Sequence, residues 1–300
     1  SQFNVIKDQR GSIFLKMVQY AISSRDQKTV KAAYSIIIAL DLTWIKPDLI
    51  YEHLLKENIQ DIALNYLCTA PLSFITTQII KSLCSVRNSP LAASLLIKFA
   101  QDVSITQRLL TVGPNLKDVE AKYLIKILLE IMVPPSNRFQ LMNMKELPYM
   151  LMKIAMQSDS KMIEAISRII KSLPVNQDFL TRLCQTNFIQ IFISNAIKCN
   201  TFQSHVACLT TIDKLIRFGF VPDFASYLDT SINLLSRAPQ LTIHVITYIT
   251  LLSACEDGLN ILRKNPRIPQ IIQQYQNMPQ CQKQIQFLQS KLFSSLQAPS

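Results

Sequence analysis

The residues of this sequence best suited to binding chemistry are pairs of basic side chains at helical spacing. Three such pairs, with members three or four positions apart, are Lys122 with Lys126, Arg168 with Lys171, and Lys214 with Arg217. Residues at this spacing share one face of a helix, and clustered cations hold carboxylate or phosphate groups by charge-assisted hydrogen bonds. The alternative is a solvated helix face that keeps the protein in solution, and the sequence leaves both interpretations open.

Side chains suited to general-base catalysis or metal binding are few, since the only histidines are His53, His205 and His244. His205 and His244 occupy similar places at the start of successive predicted long helices, which favours a structural or capping role over catalysis. The sequence contains no H-E-x-x-H, G-x-S-x-G or Walker motif. We therefore predict a chain that is not an enzyme, with no catalytic, cofactor-binding or metal-binding residue.

The cysteines indicate a cellular compartment. There are seven of them, an odd number, and no two form a Cys-x-x-Cys pair. Most lie in apolar stretches, as buried free thiols do in a reducing compartment. This pattern predicts a cytoplasmic protein, with the nucleus as the other option.

Charge and hydropathy narrow the class of partner. The formal net charge of +11 is spread along the chain without a dense Lys/Arg run, which favours an acidic protein partner over nucleic acid. Every apolar run is shorter than the roughly 20 residues that span a bilayer. We therefore expect no membrane span.

The elements that must position these side chains are helices. Four glycines in 300 residues are too few for a sheet-rich or nucleotide-binding fold. Apolar residues recur at helical spacing in segments such as 31–40, 90–100, 121–132 and 244–255. Asp178, before the apolar run FLTRLC, is a predicted helix cap. The sequence thus predicts an all-α fold.

The second half of the chain repeats itself. Short apolar helices are predicted to begin near Leu147, Phe188, Leu228 and Ile268, at spacings of 41, 40 and 40 residues. A period of about 40 is typical of armadillo and HEAT arrays, in which each unit buries one face against its neighbours.

Segments 120–159, 164–200 and 244–276 resemble the armadillo repeat, and segment 204–238 does so more weakly. Each has a long helix, a short linker, a second helix and a third helix, and the clearest third helices begin at an apolar-Pro step. Two features depart from the family: glycine is missing before that step, and the Trp/Asn ladder of nuclear-import receptors is absent. The resemblance implies an all-α, right-handed α-solenoid of armadillo/HEAT-like helical repeats that does not read import signals.

We expect one continuous solenoid over 1–300. Its expected parts are a frayed start at 1–10, irregular repeats at 12–115, clear armadillo-like repeats at 116–280, and a capping helix at 281–297. In the capping helix, Ile285, Leu288 and Leu292 lie at helical spacing and are predicted to face inward, leaving a polar outer side.

The resemblance also implies that the long helices line a concave groove. The predicted groove residues are Lys122, Tyr123, Lys126, Arg168, Lys171, Lys214, Arg217 and Tyr248. They are expected to hold a protein partner or an extended peptide, acidic or phosphorylated, in a non-catalytic interaction scaffold.

Two alternative functions belong to other classes of protein. Because the sequence begins with Ser rather than Met, the chain can be interpreted as a regulatory segment of a larger signalling enzyme such as a protein kinase. A helical-repeat reader of nucleic acid is disfavoured, because such readers repeat one polar set at fixed positions. Here one register holds Lys126, Arg168, Thr210 and Thr250. The identity of the partner and the oligomeric state stay open.

Overall fold

A computed structural model describes residues 103–115, 118–133 and 135–293, together with single residues between 20 and 32. Within these ranges the chain forms helices and turns and contains no strand, which confirms the predicted all-helical class. The expectations for 1–10 and for almost all of 12–102 lie outside the described residues, as does the end of the predicted capping helix from residue 294 onward.

The chain divides into two compact units, Ser1–Met150 and Leu151–Ser300. The described helices that begin in the first unit are α1 (Val103–Val112), α2 (Asp118–Ile131), α3 (Pro135–Asn143) and α4 (Glu146–Met156). Their core includes the buried side chains of Leu124, Leu128 and Leu147. Whether the chain forms one continuous solenoid over 1–300 stays a prediction.

Gly113 shows how closely the first unit packs. A Cβ added at Gly113 would lie 2.5 Å from Cγ of Met150 and 2.7 Å from Cδ2 of Leu124. A side chain there would have to displace Met150 and Leu124, so glycine lets the short 3₁₀ turn at Gly113–Asn115 lie close to these two core residues.

The second unit continues as a series of short helices. They are α5 (Ser160–Ser172), α6 (Gln177–Gln185), α7 (Phe188–Cys199), α8 (Phe202–Leu215), α9 (Pro222–Ala225), α10 (Leu228–Arg237), α11 (Thr242–Leu252), α12 (Glu256–Lys264), α13 (Ile268–Tyr275) and α14 (Gln282–Phe293). Short 3₁₀ turns at Ile216–Phe218 and Pro239–Leu241 follow α8 and precede α11. Helix α9 has only four residues, in keeping with the weaker resemblance of segment 204–238.

Four of these helices recur at a regular spacing. Helices α5, α8, α11 and α14 begin at residues 160, 202, 242 and 282, and each packs against the next in the series. We call this series the long-helix ladder. The predicted period of about 40 residues is thus present as a period of helix packing in the second unit.

Hydrogen bonds join successive helices of the ladder. The hydroxyl of Ser167 on α5 donates to the carbonyl of Ala207 on α8 at 3.1 Å, and Thr211 Oγ1 donates to Ser167 Oγ at 2.8 Å. Near the helix starts, the hydroxyls of Ser160 and Thr201 lie 2.6 Å apart. Because the N-terminal end of α5 contacts the N-terminal end of α8, the two helices run side by side in the same direction.

The terminal helix α14 agrees in part with its prediction. Ile285, Leu288 and Leu292 are buried, which confirms the predicted inward face. The outer side is less polar than predicted, since Phe287 and Phe293 are exposed. The ammonium of Lys291 lies 5.7 Å from the ring centroid of Phe287 and covers part of it.

The predicted helix cap at Asp178 is wrong. Helix α6 begins at Gln177, and its cap is Asn176, whose side chain accepts a hydrogen bond from the amide of Phe179 at 2.9 Å. Asp178 lies in the first turn instead and forms an exposed ion pair with Arg182 at 3.1 Å. An acidic residue at this place is favourable because it faces the positive end of the helix dipole.

Candidate functional site

The outward side of the long-helix ladder carries a row of equivalent residues. The ninth residue of each helix in the ladder is, in order, Arg168, Thr210, Thr250 and Ser290. The three hydroxyls are satisfied within their own helices, because they donate to carbonyls three or four residues earlier. Along the row, Arg168 is therefore the one long charged side chain.

A shallow pocket of about 400 Å³ opens where α5 and α8 end. We call it the basic pocket. Its lining residues are Lys171 from α5, Thr210, Asp213 and Lys214 from α8, and Arg217 and Phe218 from the 3₁₀ turn that follows. Three of the predicted groove residues therefore come together at one site.

Lys214 is held by the main chain. Its Nζ donates to the carbonyl of Lys171 at 2.6 Å and to the carbonyl of Leu173, both at the end of α5. A cation at this place satisfies carbonyls that have no partner within the helix and offsets the negative end of its dipole. Lys214 therefore adds positive charge to the pocket, while its amine already has a structural role.

Three basic side chains remain at the surface of this region, Arg168, Lys171 and Arg217, all of them exposed. The Nε of Arg217 donates to the carbonyl of Asp213 at 3.0 Å, which uses one of the five guanidinium donors. Among the described residues, Arg168 and Lys171 form no ion pair with a carboxylate. These three cations are therefore accessible at the surface.

Asp213 is the lining residue with the most unusual surroundings. Its Oδ1 is buried and has no hydrogen-bond partner among the described residues. Burial raises the pKa of Asp213 to about 7, and the nearby charge of Arg217 acts in the opposite direction. Near neutral pH, both the protonated and the ionised form of this carboxyl group are therefore populated.

Sequence reasoning missed Asp213 as a site residue. The available signal is its place four residues before Arg217, on the same face of the helix. Its burial depends on helices that come about 40 residues earlier and later in the chain, which the local sequence does not reveal.

The prediction that Tyr248 lines a groove is wrong. Its side chain is 0% exposed, and its hydroxyl donates to the carbonyl of Phe224. A ring buried in the core cannot contact a ligand on the surface. This hydrogen bond joins α11 to α9.

The predicted groove residues of the first unit stay predictions. Lys122 lies on α2 and is half-buried, while the side chains of Tyr123 and Lys126 are outside the described residues. Their placement in one groove with the second unit is not tested.

A second polar cluster lies inside the unit, around His205. The hydroxyl of Tyr227 bonds to Nδ1 of His205, and Nε2 of His205 lies 3.2 Å from Oδ1 of Asn200. This pattern fits a neutral ring with its hydrogen on Nε2, and burial lowers the pKa of His205. The predicted structural role of this histidine is confirmed.

The described residues also bear on metal binding, disulfides and membrane spans. Within them, no three His, Cys, Asp or Glu side chains lie close enough to hold a metal ion. The five described cysteines, Cys184, Cys199, Cys208, Cys255 and Cys281, are free thiols. In the same part of the chain, no single helix is both long and apolar enough to cross a membrane. The absence of enzyme activity, metal and cofactor stays a prediction.

No protein-family model and no curated protein matches this chain. Among the solved structures similar to it are three engineered proteins from the Northeast Structural Genomics Consortium. The first is 10% identical with a TM-score of 0.49, over 93% of this chain and 98% of its own. The second is 11% identical with a TM-score of 0.49, over 92% and 95%. The third is 10% identical with a TM-score of 0.47, over 96% and 80%. These likenesses indicate neither a family nor a function.

Proposed function

We propose that this chain is a non-catalytic, armadillo-like solenoid module that binds an extended acidic segment of another protein. The segment lies across the outward side of the long-helix ladder and places an acidic side chain at the basic pocket. The observation that carries this proposal is a set of exposed cations: Lys171 and Arg217 line the basic pocket, and Arg168 lies three residues before Lys171 on α5.

The row of ninth residues supports an extended ligand. Thr210, Thr250 and Ser290 are short and their hydroxyls are already satisfied, so a backbone can approach the helices without burying an unpaired group. Packed helices lie about 8–10 Å apart and an extended chain rises about 3.3 Å per residue. A ligand therefore advances by one helix for about every three residues, and about nine residues span the ladder.

The side chains exposed at the starts of the ladder helices differ in polarity from those exposed at their ends. At the helix starts, Phe202 is 47% exposed and Ile243 is 41% exposed. At the helix ends lie Lys171 and Arg217. Because side chains of an extended peptide alternate between two sides, the best ligand has apolar residues on one side and acidic residues on the other.

The proposal is tested with a displayed library of random 12-residue peptides selected for binding to the chain. The dissociation constant of a selected peptide is then measured by fluorescence anisotropy for the parent and for the double variant Arg168→Glu with Lys171→Glu. We expect binding at least tenfold weaker in the double variant, because charge-assisted hydrogen bonds become repulsions.

The matched control carries the same change of charge on other helices. Arg237 on α10 and Lys264 on α12 are both exposed, and Arg237→Glu with Lys264→Glu should bind like the parent. Equal weakening in both double variants means that net charge alone drives binding. That result, or equal binding by the parent and the Arg168/Lys171 variant, contradicts the proposal.

A further inference from the structure

We propose that the basic pocket binds an aromatic side chain of the partner's acidic segment, with the ring inside the pocket and the flanking carboxylates at Lys171 and Arg217. This inference deepens the proposed function and rests on it for the source of the ring, an extended peptide. Since alternate residues of an extended chain face the same side, the expected ligand pattern is acidic-x-aromatic-x-acidic.

The pocket has an apolar floor although most of its lining residues are polar. The hydroxyl of Thr210 donates to a carbonyl one turn earlier at 2.8 Å, and the amine of Lys214 donates to carbonyls at the end of α5. These two side chains therefore offer a ligand a methyl group and a methylene stem rather than hydrogen-bond donors. The ring of Phe218 also lines the pocket and is 36% exposed. We call these three side chains the apolar floor.

The size of the pocket suits a ring. A cavity of about 150 Å³ lined by apolar side chains holds benzene, and the volume here is about 400 Å³. A phenyl or indole group therefore fits with part of the adjoining peptide. The exposed ring of Phe218 favours an aromatic neighbour, because two rings attract each other in offset or edge-to-face arrangements.

The charge of the pocket favours an aromatic over an aliphatic side chain. Lys171 and Arg217 line the pocket and are exposed. A cation within about 6 Å of a ring centroid is attracted to the π-face of the ring, and an aliphatic group offers no such face. Asp213 is the one acidic lining residue, so the three cations of the lining leave the pocket positive in either state of that carboxyl group. Flanking carboxylates of the peptide complement this charge.

A nucleobase with its phosphate also combines a flat ring with negative charge. Proteins that bind single-stranded nucleic acid stack successive bases on several aromatic side chains along a basic groove. Phe218 is the one aromatic residue that lines the pocket, and the row of ninth residues along the ladder contains no aromatic residue. These observations favour a peptide, and an oligonucleotide is therefore included as a competitor in the test.

The test is fluorescence anisotropy of the full chain with a fluorescein-labelled peptide of sequence Ser-Glu-Ser-Phe-Ser-Glu-Ser. Replacement of its Phe by Ala should weaken binding about tenfold, because the apolar surface of the ring is no longer buried. Replacement by cyclohexylalanine keeps a six-membered apolar ring but removes the π-face, and should weaken binding about threefold. The ratio of the dissociation constants of the cyclohexylalanine and Phe peptides is called the ring preference.

Variants of the cations test the cause of the ring preference. In the double variant Lys171→Gln with Arg217→Gln, both substitutions are at exposed positions and the ring preference should fall from about three to about one. The matched control is Arg237→Gln with Lys264→Gln, which removes two exposed cations on α10 and α12. Its ring preference should stay at about three.

A variant of the apolar floor tests the contact between rings. Phe218→Leu keeps an apolar side chain and should weaken binding of the Phe peptide about threefold, because the ring-to-ring attraction is lost. Phe139→Leu makes the same change at an exposed position on α3 and should bind like the parent. Circular dichroism of both variants checks that the helices are intact.

Several results would overturn this inference. One is a cyclohexylalanine peptide that binds as tightly as the Phe peptide, and another is a ring preference that persists in the Lys171/Arg217 variant. Equal binding of the Ala and Phe peptides, or undetectable binding of the Phe peptide up to about 1 mM protein, has the same meaning. If oligodeoxythymidylate displaces the labelled peptide at lower concentration than the unlabelled Phe peptide does, the pocket is a nucleic-acid site instead.

Failure of this inference is separable from failure of the proposed function. If selected acidic peptides bind and lose affinity in the Arg168/Lys171 variant, while the Ala and Phe peptides bind equally, only the aromatic site is wrong. If the Phe peptide binds with the expected ring preference but no 12-residue peptide is selected, the pocket stands without the ladder as an extended peptide site.

Discussion

The side-chain amine of Lys214 donates a hydrogen bond to the main-chain carbonyl of Lys171, with 2.6 Å between nitrogen and oxygen. The last turn of α5 is thus closed by a residue from the next helix of the ladder. The side chain of Lys171 stays exposed beside this contact. One contact therefore joins two successive helices of the ladder beside the basic pocket.

Substitution of Lys214 tests the structural half of that contact. We expect Lys214→Met to lower the free energy of unfolding by about 1 kcal/mol, because the terminal carbonyls of α5 lose both a donor and a compensating charge. The measurement is urea unfolding followed by circular dichroism. Lys161→Met, at an exposed position near the start of α5, should change stability by less than about 0.5 kcal/mol. Equal effects of the two substitutions contradict the role given to Lys214.

The contact between Tyr227 and His205 should contribute to stability. Tyr227→Phe removes the hydroxyl and leaves Nδ1 of His205 buried without a donor, at a cost of about 1–3 kcal/mol. Tyr275→Phe is the matched control, since Tyr275 is half-buried and its hydroxyl has only a long 3.4 Å contact with Gln274. Thermal and urea unfolding of both variants give the comparison. A Tyr227→Phe protein as stable as the control shows that the histidine needs no partner.

The start of α6 distinguishes two candidate caps. Asn176→Ala should lower the free energy of unfolding by about 0.5–2 kcal/mol, because it removes the acceptor for the amide of Phe179. Asp178→Ala removes only an exposed ion pair, and a loss below about 0.5 kcal/mol is expected. The reverse order of the two effects, measured by urea unfolding, would place the cap at Asp178 after all.

Asp213 should make stability depend on pH. In the folded chain its pKa is about 7, above the ordinary value of 3.8. Between about pH 4 and pH 7 the folded state therefore binds more protons than the unfolded state, and stability falls as the pH rises through that window. Asp213→Asn removes this contribution. The free energy of unfolding of the variant, relative to that of the parent, should therefore increase from pH 4.5 to pH 7 and change little between pH 7 and pH 8.

A control for this pH dependence is Asp257→Asn, at an exposed position on α12. Its stability relative to the parent should not grow over the same range. The measurement is the urea midpoint of the parent and of both variants at pH 4.5, 6, 7 and 8. A constant difference between Asp213→Asn and the parent shows that the carboxyl group keeps its ordinary pKa.

The features predicted well from sequence are those that depend on periodic burial. Apolar spacing predicted the period of about 40 residues and the inward face formed by Ile285, Leu288 and Leu292. Both follow because each helix must bury one stripe of its surface against its neighbours.

Features that depend on neighbours distant in sequence were predicted less well. Successive residues of a helix are rotated by about 100°, so an error of one position in aligning repeats moves a side chain from surface to core. Tyr248 was misplaced for this reason. The place of Asp213 in the basic pocket was missed because this pocket forms only where the end of α5 packs against the end of α8. At α6, both Asn176 and Asp178 are good capping residues, and local sequence does not choose between them.

The most direct test of the central claim, that the outward side of the ladder binds a peptide, is site-specific photocrosslinking. The photoreactive residue p-benzoylphenylalanine replaces either Gln203, two turns before Thr210 on the same face of α8, or Ser236, exposed on α10. Each protein is irradiated with the selected acidic peptide, and crosslinked product is quantified by mass spectrometry. We predict a crosslink from position 203 that excess unlabelled peptide removes, and only background from position 236. Crosslinking from position 236 with none from position 203 would contradict the account.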